Sequence, residues 1–179
     1  MEPVAVAVAP ADSSDAEKLA DVAARTFPLA CPPSATPQNI VAFIDENLAA
    51  DRFAAYLADP DRVVLAAYVD GRIVGYCMLI RAEPDNPDVR QAVTVRPTVE
   101  LSKMYVLPES HGAGVSSALM TAALAHAAKL GAKSVWLGVN QENQRAQHFY
   151  SKHGFTINGT KTFRLGDGIE HDYVMLRLL

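Results

Sequence analysis

The chain has little cysteine and no extended run of basic residues. Its two cysteines, Cys31 and Cys77, lie far apart and outside any metal-binding spacing, which excludes a disulfide framework. We interpret both as buried or idle thiols in a reducing cytosol. The formal net charge is −4 and the lysines and arginines are scattered, so no basic stripe could offset phosphate repulsion. A nucleic-acid-binding function is therefore not expected.

The sequence also lacks an apolar run long enough to span a membrane, so no membrane association is expected. The opening segment MEPVAVAVAP carries no positive leader, and we interpret it as a first strand, not as a signal peptide. Half of the 179 residues are hydrophobic and a fifth are charged, which is typical of a soluble globular protein. These features predict one cytoplasmic domain over residues 1–179.

Hydrophobic periodicity predicts strands and helices that alternate along most of the chain. A helix is expected from a capping box at Ser14 and Glu17 to residue 27, and a hairpin is expected to turn at Asp70-Gly71. Residues 81–91 are expected to form a polar turn. The other predicted helices cover residues 36–49, 51–60, 115–130 and 143–153. The predicted strands cover residues 3–9, 62–80 (the hairpin), 94–107, 134–139, 155–165 and 171–179.

The segment ESHGAGVSSALM, residues 109–120, joins a predicted strand to a helix and contains Gly112 and Gly114. Glycine lets main-chain N–H groups close on a bulky anion at a helix N-terminus, so a phosphate-bearing ligand is predicted there. No lysine follows the glycines, which excludes a P-loop. The next strand ends at residues 138–140 without a carboxylate, which argues against a dinucleotide site. A structural turn without a ligand remains the alternative at this point.

A second motif follows the next predicted strand and contains Asn143, Ala146, Tyr150 and the pair Gly154-Phe155. The two motifs at this separation resemble those of the GNAT superfamily of acetyl-CoA-dependent N-acetyltransferases. The resemblance covers the whole chain in element order and about residues 98–156 in motif detail. It implies a single-domain α/β fold of the GNAT type. The expected sheet is central, mixed and mostly antiparallel, has splayed fourth and fifth strands, and is flanked by helices.

The resemblance implies that acetyl-CoA is the donor, with its pyrophosphate on the glycine turn and its pantetheine arm along the fourth strand. The implied contacts are Met104, Tyr105, Val106, His111, Gly112, Ala113, Gly114, Val115, Ser116, Ser117, Asn143 and Lys152. His111 stands where the family has Gln or Arg, and Ser116 replaces the last small residue of the family motif. We therefore expect the main-chain N–H groups of the turn to bind phosphate as in the family, and we expect His111 to hold the loop less firmly than Gln or Arg would.

The same resemblance implies direct attack of a neutral amine on the thioester, with the Met104 N–H polarising its carbonyl. Tyr150 matches the tyrosine that protonates the leaving thiolate, and Glu100 stands at the spacing of a glutamate base. Ordered water is the alternative to Glu100. No metal is expected, because His126, His148 and His153 lack a metal-binding spacing.

The acceptor is expected to be a small cationic amine. The C-terminal segment is similar to that of bacterial PaiA-type spermidine/spermine acetyltransferases, which favours a polyamine. Carboxylates are expected in the acceptor cleft at Glu83, Asp85, Asp88, Glu100, Asp167, Glu170 and Asp172. A protein or peptide acceptor and a non-catalytic CoA-binding sensor are the alternatives. The chain is expected to act as a monomer or homodimer.

Overall fold

The structure is a computed structural model, and it describes residues 5–112 and 114–179. Within these residues the chain forms one sheet of seven strands and six helices. The strands are β1 (Ala7–Pro10), β2 (Arg62–Val69), β3 (Arg72–Ile80), β4 (Thr98–Val106), β5 (Ser134–Asn140), β6 (Thr156–Leu165) and β7 (Gly168–Leu178). The helices are α1 (Ala16–Ala30), α2 (Pro37–Asn47), α3 (Ala50–Ala58), α4 (Pro87–Ala92), α5 (Val115–Lys129) and α6 (Gln144–Lys152).

The sheet has the strand order β1-β2-β3-β4-β5-β7-β6, and all neighbouring pairs are antiparallel except β4 and β5. A parallel pair needs a crossover connection, which here contains α5. This topology confirms the mixed, mostly antiparallel sheet expected from the sequence.

The fourth and fifth strands separate soon after they meet. They pair only where Thr98–Glu100 of β4 faces Ser134–Trp136 of β5. Beyond Glu100, β4 continues to Val106 and β5 continues to Asn140 with no pairing between them. The register with β3 also shifts between Met78 and Leu79, so Ser102 forms a bulge in β4. The expected splay is confirmed, and it leaves one backbone edge of β4 without a strand partner.

Two local predictions were wrong. The capping box lies at Asp12 and Asp15 instead of Ser14 and Glu17, because a short 3₁₀ turn precedes α1. The Asp12 carboxylate accepts from the Ser14 N–H at 2.8 Å, and the Asp15 carboxylate accepts from the Asp12 N–H at 3.0 Å. The expected polar turn contains α4, whose first residue is Pro87 and whose N-cap is Asn86. Of the first predicted strand, residues 3 and 4 lie outside the described residues.

The main core lies between the sheet and helices α1, α3 and α5. Leu19, Phe53, Tyr76 and Leu119 are completely buried there. Cys77 is buried in this core, whereas Cys31 is half-buried at the end of α1. None of the described helices is long and apolar enough to cross a membrane.

Candidate active site

Two cavities meet where β4 and β5 separate. The larger has a volume of about 350 Å³ and the smaller a volume of about 240 Å³. Residues from α1, β4 and α6 line both cavities, namely Ala30, Met104, Tyr105, Asn143, Ala146 and Tyr150. The gap in the sheet therefore brings the two sequence motifs together around one continuous depression.

The smaller cavity lies against the glycine turn. Gly112 and Gly114 have φ values of +80° and +79°, and a Cβ at either position would meet no atom of another part of the chain within 4 Å. These glycines are therefore required by the left-handed backbone, and open space lies in front of them. Gly114 is the N-cap of the 15-residue helix α5, whose free N–H groups and positive dipole end favour an anion. The turn thus fits a phosphate group.

The edge of β4 that faces the gap carries free backbone groups. The Leu107 N–H donates to the Val74 carbonyl of β3 at 2.8 Å. Because backbone groups alternate between the two edges of a strand, those of Met104 and Val106 face the gap. The Val106 carbonyl already accepts a hydrogen bond from His111 Nε2 at 2.9 Å. The N–H groups of Met104 and Val106 remain for an extended ligand.

His111 connects the glycine turn to two other elements. Its Nε2 donates to the Val106 carbonyl of β4, and its Nδ1 lies 3.0 Å from Nη2 of Arg145 on α6. His111 therefore links the glycine turn to β4 and to α6 through its two ring nitrogens. Arg145, which also lines the smaller cavity, was not identified from the sequence. Its position two residues after Asn143, in the first turn of a helix, was the available signal.

Helix α6 presents Asn143 and Tyr150 to both cavities. The Asn143 side-chain oxygen caps the helix by accepting from the Ala146 N–H at 3.1 Å, which leaves the amide NH₂ for a ligand. The Tyr150 ring packs against Phe149 and Phe155, with centroids 5.5 and 5.9 Å away. Burial raises the pKa of Tyr150 to about 12, so its hydroxyl is protonated at neutral pH.

The larger cavity contains charged side chains of both signs. They are Glu100, Lys103, Lys161, Glu170 and Asp172. Lys161 and Asp172 face each other across β6 and β7, with Nζ and Oδ2 3.2 Å apart, and both side chains are largely buried. A Cβ at Gly138 of β5 would lie 2.5 Å from Lys161 Cε, so glycine leaves room for this pair.

Burial shifts the pKa values of the titratable groups in this cavity. It raises the pKa of Glu100, while the positive charges of Lys161, Lys103 and Arg62 oppose the shift. It lowers the pKa of Lys103 to about 8, and the charge of Glu100 opposes that change. Burial also raises the pKa of Asp172 against the effect of Lys161. Glu100 is therefore a stronger base than an exposed glutamate, which suits proton removal.

The structure brings together only part of the predicted acceptor cleft. Glu100, Glu170 and Asp172 line the larger cavity, whereas the other four acidic residues line neither cavity. Glu83 instead pairs with Arg96 at 3.1 Å. The four that lie elsewhere are Glu83, Asp85, Asp88 and Asp167, all exposed. The structure therefore places three of the seven expected carboxylates in the larger cavity and the other four on the exposed surface, where the charge of Asp85 still contributes to raising the pKa of Glu100.

Four of the described predicted cofactor contacts line neither cavity. Gly114 is exposed at the N-cap of α5, Val115 is buried, and Ser117 and Lys152 are exposed on α5 and α6. Ala113 lies outside the described residues. In the part of the chain that the structure describes, no group of three His, Cys, Asp or Glu side chains is arranged to hold a metal ion.

Comparison with known proteins gives consistent matches. The model of the acetyltransferase (GNAT) family matches residues 23–155. An uncharacterized N-acetyltransferase of Mycobacterium tuberculosis is 59% identical over 166 residues, which are 93% of this chain and 99% of that protein. The PaiA N-acetyltransferase of Thermoplasma acidophilum, solved with coenzyme A, has a similar structure. Its TM-score is 0.77 at 18% identity, over 98% of this chain and 99% of that one. The ribosomal-protein-S18-alanine N-acetyltransferase of Escherichia coli gives a TM-score of 0.68 at 16% identity, and the match covers 97% of this chain and 94% of that one.

Proposed function

The chain belongs to the acetyltransferase (GNAT) family, and on that premise we propose that its single domain acetylates a small cationic amine such as a polyamine. Acetyl-CoA is the donor and N-acetylation is the reaction. The acceptor and the roles of individual residues are the proposed part. The observation that carries the proposal is the meeting of the two cavities at the free edge of β4, beside Tyr150.

The donor is proposed to occupy the smaller cavity. Its pyrophosphate would meet the main-chain N–H groups of the turn from Gly112 to Ser117, at the positive end of α5. The pantetheine arm would pair with the N–H groups of Met104 and Val106 on the edge of β4. The free NH₂ of Asn143 would donate a further hydrogen bond to the arm. This placement directs the thioester toward the larger cavity.

The acceptor amine is proposed to enter the larger cavity and attack the thioester directly. Glu100 lies where β4 and β5 part and would remove the proton of the ammonium group. The N–H of Met104 would stabilise the negative charge that develops on the carbonyl oxygen. Tyr150, protonated at neutral pH, would donate a proton to the departing thiolate. Acetyl-CoA supplies the activated acetyl group, and these side chains supply position and proton transfer.

The charges in the larger cavity support a cationic acceptor of limited charge. Asp172 is paired with Lys161, so Glu100 and Glu170 are the carboxylates with the most capacity to attract an ammonium group. Lys103 adds a positive charge beside Glu100. A diamine or triamine that places one amine near Glu100 and another near Glu170 fits this pattern.

An acceptor screen tests the proposal. The purified protein is incubated with acetyl-CoA and with polyamines, aminoglycosides, amino acids or peptides, and the released thiol of CoA is measured. We expect polyamines to give the highest kcat/KM. A peptide or a neutral amine as the best acceptor would refute the polyamine assignment. Acetyl-CoA binding without turnover on any acceptor would favour a CoA-binding sensor.

A further inference from the structure

We propose that Arg145 binds a phosphate group of the cofactor and that His111 holds its guanidinium in position. The inference rests on the proposed placement of acetyl-CoA in the smaller cavity. It assigns the positively charged group that binds phosphate in that cavity to Arg145 in the first turn of α6, a residue for which the sequence predicted no role. It also gives His111 a second function besides bracing the loop.

Arg145 is the second residue of α6 and lines the smaller cavity together with Gly112 and Ser116 of the glycine turn. Its Nη2 lies 3.0 Å from His111 Nδ1. Among the described residues, no carboxylate lies within ion-pair distance of its guanidinium. A guanidinium has five N–H donors in a planar fork, so four remain after the contact with His111. This geometry suits bidentate binding of a phosphate.

The two contacts of His111 specify its protonation state. The Val106 carbonyl can only accept, so Nε2 must carry the hydrogen. The Arg145 guanidinium can only donate, so Nδ1 must accept. A neutral imidazole protonated on Nε2 satisfies both contacts, which links β4, the glycine turn and α6. The imidazole therefore orients the guanidinium without neutralising its charge.

Arg145 is better placed for this role than Lys152, the cation expected from the sequence. The two residues are seven positions apart and lie on the same face of α6, two turns or about 10 Å apart along the axis. Lys152 is near the C-terminal end of the helix and lines neither cavity. The phosphate site at the glycine turn is at the opposite end of α6, beside Arg145.

Substitutions at His111 separate the two functions. Glutamine has both a donor and an acceptor, so His111→Gln can contact the Val106 carbonyl and Arg145 together. Arginine has donors only, so His111→Arg can contact Val106 but repels Arg145. Both residues occur at this position in the family motif. The inference predicts that they behave differently in this chain.

The experiment measures Kd for CoA by calorimetry, with pantetheine as the probe that lacks phosphates. Arg145→Gln should raise the Kd for CoA roughly 10-fold, the loss of a charge-assisted hydrogen bond at a solvent-accessible site, and leave pantetheine binding unchanged. The control Arg52→Gln removes an exposed arginine of α3 that lines neither cavity, and should change neither Kd. Thermal unfolding of each variant should match that of the wild type.

His111→Arg should weaken CoA binding about as much as Arg145→Gln, whereas His111→Gln should keep the Kd for CoA within about 2-fold of wild type. Arg145→Gln should have little further effect when added to His111→Arg. If Arg145→Gln binds CoA as tightly as the wild type, the inference is overturned while the proposed function stands. A wild type that does not bind CoA would instead refute the proposed function, and this inference with it.

Discussion

Glu100→Gln tests whether a side chain or only water removes the proton from the acceptor. A primary amine with a pKa of ~10.4 is unprotonated in only about one molecule in a thousand at pH 7.4. Glu100 is half-buried where β4 and β5 part, and burial raises its pKa while Lys161 and Lys103 oppose that change. The result is a base that is stronger than an exposed glutamate and lies in the proposed path of the amine.

We expect Glu100→Gln to lower kcat/KM roughly 100-fold at pH 7, the lower end of the range for a general base, because water can partly substitute. The loss should shrink as pH rises and should be within about 3-fold at pH 10, where much of the amine is already free. In the wild type, kcat/KM should fall as pH drops through the raised pKa of Glu100, because the protonated carboxyl accepts no proton.

The assay is release of CoA thiol between pH 5 and 10, corrected for hydrolysis of acetyl-CoA without acceptor. Glu170→Gln is the matched control, because it removes another carboxylate from the same cavity. Its effect on kcat/KM should be nearly the same at every pH at which the amine remains charged. A Glu100→Gln defect that stays constant from pH 7 to 10 would refute the role of Glu100 as a base.

Four substitutions test the remaining parts of the site. Tyr150→Phe should lower kcat roughly 100-fold and leave the Kd for acetyl-CoA nearly unchanged, since it removes one proton donor; an unchanged kcat would reduce Tyr150 to a packing residue. Gly114→Val should lower Tm, because a left-handed backbone costs a β-branched residue about 1–2 kcal/mol or more. It should also abolish the stabilisation by acetyl-CoA, which for the wild type is about 2.7 kcal/mol at 100 times Kd; persistence of that stabilisation in a thermal scan would contradict the proposed phosphate site. Glu170→Gln should raise KM for polyamines and leave KM for acetyl-CoA unchanged. Asp172→Asn should also lower the free energy of unfolding by about 2 kcal/mol, because Lys161 then lacks its carboxylate partner. If Asp172→Asn and Glu170→Gln have equal Tm values, the ion pair contributes little to stability.

Much of the fold could be predicted because its elements depend on residues that are close in sequence. The two apolar runs of the hairpin, rich in strand-forming residues, and the turn at Asp70-Gly71 specify β2 and β3 locally. The glycine turn likewise depends on the backbone freedom of Gly112 and Gly114, which no other residue type provides as readily. The capping of α1 was predicted wrongly. Asp12 and Ser14 are only two positions apart, and both side chains can accept from the free N–H groups of the first turn, so the sequence pattern does not show which one is the cap.

The sequence by itself therefore determined the order of the elements apart from α4, and it determined the two family motifs that contain Tyr150 and Asn143, because both depend on local spacing. Only the tertiary structure decided which charges share a cavity. His111 and Arg145 are 34 residues apart and meet because β4 and α6 pack around the same gap. Lys161 faces Asp172 because the β6–β7 register, including its shift between Ile157 and Gly159, places them opposite each other. Such contacts depend on long-range packing and strand register, which the spacing of residues along the chain does not contain.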